Sequence, residues 1–409
     1  MSTAPAAGPV SRRQLLPFAA LSAGYFAHIG FFNPYLPLWL QDGGYGLFAI
    51  GLMTSLQSAT RLFAPYIWGW LSDHTGHRVW LLRYCASVAL AVSLALWWDW
   101  GAVGLFVVLL LMFTHTSGMM PLSESVLSQL VSQGGVFDAR RYGRVRLWGS
   151  LGFLLTVLAA GAWFDRHGMA SFPAWTALTL LAVVASVWAM PDRRGPRHAP
   201  GTQPAIGPVL RQPVVRWFFV AAFFHILAHI FIYIFFSLYL DGLGYGKGVI
   251  GLLWAFAVVV EIGWFFTQGR WLPRISLAGW LVLAAALMAL RMGVTALAGA
   301  WLWALFAAQA VHAITFAAHH SVCIALINTH FPDRLRARGQ ALFAVLGYGL
   351  SGVVGGLLGG LVSSRWGVGA VFWLSAASAA LATWAAWRMR RWSAPFTPPA
   401  GPARSGAAG

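Results

Sequence analysis

A few ionisable side chains stand inside long apolar runs of this 409-residue chain. Such groups exchange protons and bind charged solutes. Glu261 is flanked by Val258-Val259-Val260 and Ile262-Gly263. A carboxyl group removed from water favours its neutral form, so it can hold a proton until a cation or water approaches. Arg291, in Leu287-Met288-Ala289-Leu290-Arg291-Met292, can draw that proton off or bind an anion; if it reached the surface it would only snorkel. Arg61, in Ser58-Ala59-Thr60-Arg61-Leu62-Phe63, lies too deep to snorkel easily and is expected to face a cavity or a buried partner. His312, His319 and His320 share one apolar run. His225 and His229 are four apart, on one helical face, a spacing that suits a metal ion, but no acidic residue or cysteine accompanies them and no metal is expected. A charge at mid-bilayer is costly, which makes each of these residues a functional candidate by default.

The elements that must position them are membrane helices. The chain is 59% hydrophobic and 9% charged, against roughly 25% charged residues in a soluble domain. Too little charge remains to coat a water-facing surface. Apolar runs long enough to span a bilayer lie near 16–40, 46–71, 79–98, 102–126, 147–164 and 172–190, then near 215–240, 248–269, 275–295, 299–326, 340–363 and 368–388. This predicts an all-α membrane protein of twelve transmembrane helices in two six-helix pseudo-symmetric bundles. Residues 1–190 form the first bundle and 214–391 the second. Residues 191–213, rich in Pro, Arg and Gly, are expected to be a cytoplasmic linker, and 392–409 a disordered tail. Arg12 and Arg13 precede the first run, but no small-residue cleavage site ends a short apolar core, so that run is expected to be retained.

The net charge of +17 would suit nucleic acid only if the arginines formed a stripe on a soluble domain. They fall instead in clusters between the runs. With both termini cytoplasmic, the inner side holds Arg12, Arg13, Arg78, Arg83, Arg140, Arg141, the linker arginines, Arg270, Arg274, Arg334, Arg336, Arg338, Arg388, Arg390 and Arg391; the outer loops hold little beyond Arg166, Lys247 and Arg365. That asymmetry sets the orientation. Cys85 and Cys323 both sit inside apolar runs and imply no disulfide framework. The 23 tryptophans are mostly expected at the interfacial belt and the lipid face.

The halves repeat. At an offset of 200, Leu38, Leu40, Gly44, Tyr45, Gly46, Ile50, Gly51 and Leu52 match Leu238, Leu240, Gly244, Tyr245, Gly246, Ile250, Gly251 and Leu252, and Gly69 matches Gly269. An even number of helices per half gives parallel repeats, related by an axis along the membrane normal. The same offset sets Arg61 opposite Glu261.

Between the second and third runs stands Gly69-Trp70-Leu71-Ser72-Asp73-His74-Thr75-Gly76-His77-Arg78. It resembles the loop signature of the major facilitator superfamily, G-x-L-[AS]-D-[RK]-x-G-[RK]-[RK], with His74 and His77 in place of basic residues. The resemblance implies a gate in which Gly69 and Gly76 allow a tight turn and close helix approach, while Asp73 pairs with inner-loop arginines such as Arg78. Pro121-Leu122-Ser123-Glu124, Gly143-Arg144-Val145-Arg146 and His312-Ala313-Ile314-Thr315-Phe316-Ala317-Ala318-His319-His320 look like the branch that holds lactose permease and the 3-phenylpropionate permeases.

That branch implies proton coupling through Glu261, Arg291, His312 and His320, and substrate binding by Arg61, Glu124 and Arg146. Thr315 stands where lactose permease has a second carboxylate, which places more of the coupling on Glu261. Three arginines against two carboxylates favour an anionic or polar solute, and an aromatic carboxylate such as a phenylpropionate suits the charge. The resulting expectation is a proton-coupled symporter of the bacterial inner membrane, monomeric, with no cofactor but the proton and no enzymatic activity. A proton-driven efflux antiporter is the alternative, yet Gly149-Ser150-Leu151-Gly152-Phe153-Leu154 lacks the proline of the antiporter motif G-P-x-x-G-G. A receptor or membrane enzyme would need a nucleotide loop, nucleophile motif or metal cluster, and no loop here carries one.

Overall fold

The computed structural model describes residues 12–133, 136–191 and 205–393. Among them the chain crosses a membrane-sized slab twelve times. The first six crossings are α1 (Arg12–Asp42), α2 in two pieces (Leu47–Thr60 and Ala64–Thr75), α3 (Arg78–Ser93), α4 in two pieces (Gly101–Ser117 and Met119–Val131), α5 (Ala139–His167) and α6 (Phe172–Trp188). The second six are α7 (Pro213–Gly242), α8 (Lys247–Trp271), α9 (Leu277–Ala298), α10 (Leu302–His330), α11 (Arg334–Trp366) and α12 (Val368–Arg390). A two-residue antiparallel pair, Ser132 with Phe137 and Gln133 with Val136, links α4 to α5. Eleven crossings are long and apolar enough to span a bilayer as one helix. The remaining one, α2, is broken at Arg61. Pro65 has no N–H to give the Arg61 carbonyl, and its ring crowds that oxygen, which favours the break seen here.

Within the first bundle, α1 packs on α5 and α6, and α3 on α4 and α6; within the second, α12 packs on α7 and α9. The expected linker falls mostly on residues 192–204 and the expected disordered tail mostly on 394–409, both outside the described residues. The end of the linker region is ordered: Gly207–Leu210 form a helical turn with Val209 buried.

The repeat is reproduced bond for bond. Gly44 and Gly244 sit at φ 80° and 87°, a conformation that only glycine adopts without strain. Tyr45 and Tyr245 each donate a backbone N–H, at 3.0 Å, to Leu40 and Leu240. The bundles meet on the side of these turns. Gly51 of α2 lies against the Gly356 and Gly360 backbone of α11, and Gly251 of α8 lies against α5, where a Cβ would stand 2.6 Å from the Val157 carbonyl oxygen. Tyr35 Oη lies 3.1 Å from both the Val157 and Lys247 carbonyl oxygens, and Asp165 accepts the Lys247 N–H at 2.8 Å. These contacts seal the turn side. On the arginine-rich side, the Ala64–Thr75 piece of α2 packs chiefly on α3 and α4 of its own bundle.

Candidate functional site

A cavity of about 370 Å³ lies between the bundles. Its first-bundle wall carries Asn33 from α1, Thr54, Gln57, Ser58 and Arg61 from α2, and Arg146 and Ser150 from α5, among apolar residues that include Phe26, Phe113 and Phe153. The facing wall carries Tyr233 from α7, Trp254 and Glu261 from α8, His312 and Phe316 from α10, and Tyr348 from α11. The backbone is irregular at this level in three helices. α2 breaks at Arg61, α10 is π-helical over Ala313–Ala318, and α11 is π-helical over Ala344–Leu350. Single π-turns inside α-helices are frequent at functional sites, because the extra residue re-aims side chains.

Glu261 is 22% exposed, and its Oε2 lies 3.6 Å from His312 Nε2. His312 is 6% exposed, and its Nδ1 lies 3.1 Å from Arg291 Nη1. A guanidinium can only donate, so Nδ1 must accept and the ring proton sits on Nε2, directed at Glu261. A second proton on Nδ1 would point at a buried cation. The imidazole thus presents its proton to the carboxylate and its lone pair to the cation. Arg291 also donates to Thr315 Oγ1 at 3.0 Å and to Gln309 Oε1. At 3% exposure it does not snorkel, and it does not line the cavity. Arg291 therefore reaches Glu261 only through His312, in a Glu261–His312–Arg291 relay of side chains.

Arg61 lines the cavity, and its side chain has no hydrogen bond or ion pair with any described residue. Arg146 also lines it but is already engaged: its Nη1 lies 3.2 Å from Glu124 Oε1, and its Cζ lies 5.0 Å from the Phe26 ring centroid. Glu124 is drawn to this pair and is absent from the cavity lining. Arg144 is exposed on the arginine-rich side. His320, half-buried, lies with its Nδ1 3.4 Å from Tyr348 Oη, behind the cavity wall. His319 is buried, stacked on His225 at 3.7 Å, beside Cys323 Sγ at 3.6 Å. His225 and His229 each make their own backbone hydrogen bond. Among the described residues, no group of three His, Cys, Asp or Glu is placed to hold a metal.

In the expected gate, Gly76 ends α2 at φ 72°, and Arg78, 6% exposed, pairs with Asp73 at 3.4 Å. Gly69 differs from expectation. It sits mid-helix, and nothing lies within 4 Å of the place its Cβ would occupy. No close approach requires it in this conformation.

Sequence reasoning overlooked Gln309, Tyr233 and Tyr348, and the Asn33–Gln57 hydrogen bond of 3.1 Å. Neutral polar residues in an apolar run give no signal comparable to a charge. Thr315 stood out only as a substitution, and its structural role is to share Arg291 with His312.

A family model described as "MFS_1 like family" matches residues 23–374. A maltose permease of Geobacillus stearothermophilus is 31% identical over 356 residues, covering 85% of this chain and 87% of that protein. A probable 3-phenylpropionic acid transporter of Escherichia coli (strain K12) is 25% identical over 362 residues, covering 87% and 93%. A crystal structure of the nucleoside transporter NupG superposes with TM-score 0.77 at 14% identity, covering 93% of this chain and all of that one. A bacterial homolog of the lysosomal transporter Spinster, in an inward-facing and unoccupied conformation, gives TM-score 0.70 at 15% identity, covering 96% of this chain and 100% of that one.

Proposed function

The chain belongs to the MFS_1 like family of membrane-spanning transporters, and from that premise we propose that it is a proton-coupled symporter that imports a small organic anion by alternating access. One observation carries the reading: a single cavity holds an arginine without an anionic partner, Arg61, and a carboxylate backed by a histidine–arginine relay, Glu261. A guanidinium facing a low-dielectric cavity is a ready site for a carboxylate, which it can meet with two parallel N–H···O bonds. Arg146 lacks that freedom because Glu124 holds it. Phe26, Phe113, Phe153, Trp254 and Phe316 give the cavity aromatic surface that suits a ring-bearing acid. The names of the relatives supply candidate probes: 3-phenylpropionic acid, maltose and a nucleoside.

Coupling follows from charge. With Glu261 ionised, its charge offsets that of Arg291 through His312. Protonation removes it and leaves the site more positive, which favours the anion. A proton and an anion therefore enter together. The arginine-rich loops orient the protein with both termini in the cytoplasm of a bacterium, and the cavity then opens inward, opposite the sealed turn side.

In inverted and right-side-out vesicles, an imposed inward proton gradient should accumulate 3-phenylpropionate or a related aromatic acid. Glu261→Gln should abolish accumulation while sparing exchange. In either orientation, solute driven out of the vesicle lumen against the entering protons would establish the antiporter instead. Uphill accumulation by Glu261→Gln would remove that residue from coupling.

A further inference from the structure

His225 touches neither the cavity nor any residue of the Glu261–His312–Arg291 relay by side chain, yet its placement bears on all three. It lies on α7, 1% exposed. Its Nε2 is 2.6 Å from the Thr315 backbone carbonyl oxygen. In an α-helix that oxygen would accept from the His319 N–H. Here the His319 N–H turns to the carbonyls of Ile314 and Phe316, because α10 is π-helical over Ala313–Ala318. The wide turn deprives Thr315 of its α-helical donor, and an imidazole from a neighbouring helix meets the oxygen. An unmet buried carbonyl carries a desolvation cost that would favour closing the turn back to an α-helix.

The same π-turn aims the coupling groups. His312 Nδ1 and Thr315 Oγ1 both accept from Arg291 Nη1, the first at the start of the wide turn and the second inside it. If the turn closed, every residue on one side of it would rotate by about 100° relative to the other. His312 would then lose Arg291 or Glu261, or both.

We propose that His225 is a positioning residue for proton coupling: its Nε2–H holds the Thr315 carbonyl and so keeps α10 unwound where His312 must stand between Arg291 and Glu261. This rests on the coupling reading given above. The tautomer is fixed by geometry. Nε2 faces an acceptor and must carry the proton, while Nδ1 has no hydrogen-bond partner among the described residues and the ring is stacked on His319 at an interplanar angle of 16°. His225 acts as a donor and exchanges no proton itself. The groups around Glu261 that would feel a shift of α10 are His312 and His320 on that helix, Tyr233 on α7, Tyr348 on α11 and Arg61 on α2, with Arg291 on α9 reached through His312.

The test needs no substrate. In purified protein in lipid, the infrared carboxyl band that Glu261→Gln deletes is titrated against pH. The midpoint of that band should move by one pH unit or more, about tenfold in proton affinity, in His225→Leu and His225→Met, which remove the donor. It should stay within a few tenths of a unit in His225→Gln, whose amide N–H replaces Nε2–H. An unmoved midpoint in a folded Leu or Met variant overturns the proposal, as does an equal displacement in the Gln variant. A second readout covers variants that do not fold: nitrogen-15 resonances of wild-type His225 should report the Nε2–H tautomer from pH 5 to 9, and an Nδ1–H or doubly protonated ring overturns it. If no titrating band depends on Glu261 at all, the coupling reading itself has failed, which is a separate outcome.

Discussion

Arg61 and Arg146 are both cavity arginines, but their free donors differ. Arg61 has five N–H groups and no acceptor among the described residues, whereas Arg146 is bound to Glu124. Charge-assisted hydrogen bonds contribute about 1.5–3 kcal/mol. Arg61→Gln should therefore weaken binding of a carboxylate such as 3-phenylpropionate by about 10- to 100-fold, read by equilibrium binding or by KM with turnover of the bound complex little changed. Arg61→Lys should recover only part of this, since an ammonium does not offer the planar fork. Glu124 and Arg146 are 40% and 37% exposed, so solvent screens their pair, and Glu124→Gln should change stability by no more than about 1 kcal/mol, measured by thermal unfolding in detergent. At this scale the sequence exposes isolated charges well: Glu261, Arg61 and His312 all stand on the cavity. It is silent on what each charge touches. The sequence offers Arg291 as a group that could draw the proton off Glu261, but the intervening imidazole and the amide of Gln309 are visible only once α9 and α10 are packed.

The helices were legible as apolar runs, their interruptions less so. Pro65 lies within the second run, and its effect on the Arg61 carbonyl follows from covalent geometry, yet a proline in a membrane helix can also be accommodated as a kink. Which of the two happens depends on the neighbours. The π-turns of α10 and α11 leave no mark on the sequence, and the imidazole that meets the Thr315 carbonyl in α10 comes from another helix. Glycines separate along the same line. Gly76, at φ 72°, should lose about 1 kcal/mol or more of stability as Ala. Gly69 stands mid-helix in open space, and Gly69→Ala should be neutral or stabilising by up to about 1 kcal/mol. Thermal unfolding of the two variants side by side checks this. If Gly69→Ala nonetheless slows transport without losing stability, the glycine serves the opposite conformation, where the Ala64–Thr75 piece approaches the second bundle.

At the scale of the whole molecule, the six-plus-six division and the repeat were both readable, since an offset of 200 preserves the turn glycines that geometry demands. The interface between the bundles was not. It depends on Gly51 meeting Gly356 and Gly360, and on Gly251 meeting Val157, pairings between segments far apart in the chain. Gly251→Leu should prevent closure on the turn side. Cys85 and Cys323 are fully buried, so a cysteine introduced at Ser150 in the cavity should be alkylated by a membrane-impermeant reagent from the turn side in the Gly251→Leu background far faster than in the parent.

The surplus positive charge of the site has an electrical consequence. Among the described residues in and behind the cavity, Arg61, Arg146 and Arg291 carry three positive charges against two on Glu124 and an ionised Glu261, so the carrier holds one net positive charge there. Loading it with one monoanion and one proton on Glu261 leaves that charge as it was, and the cargo is neutral. A voltage of 100 mV acts on each translocated charge with about 2.3 kcal/mol, so it would concentrate a neutral sugar accompanied by a proton by about 50-fold. It would give a proton–monoanion pair nothing. Short-circuiting the membrane with valinomycin and potassium should leave accumulation of the organic acid intact, while nigericin, which dissipates the pH difference alone, should abolish it.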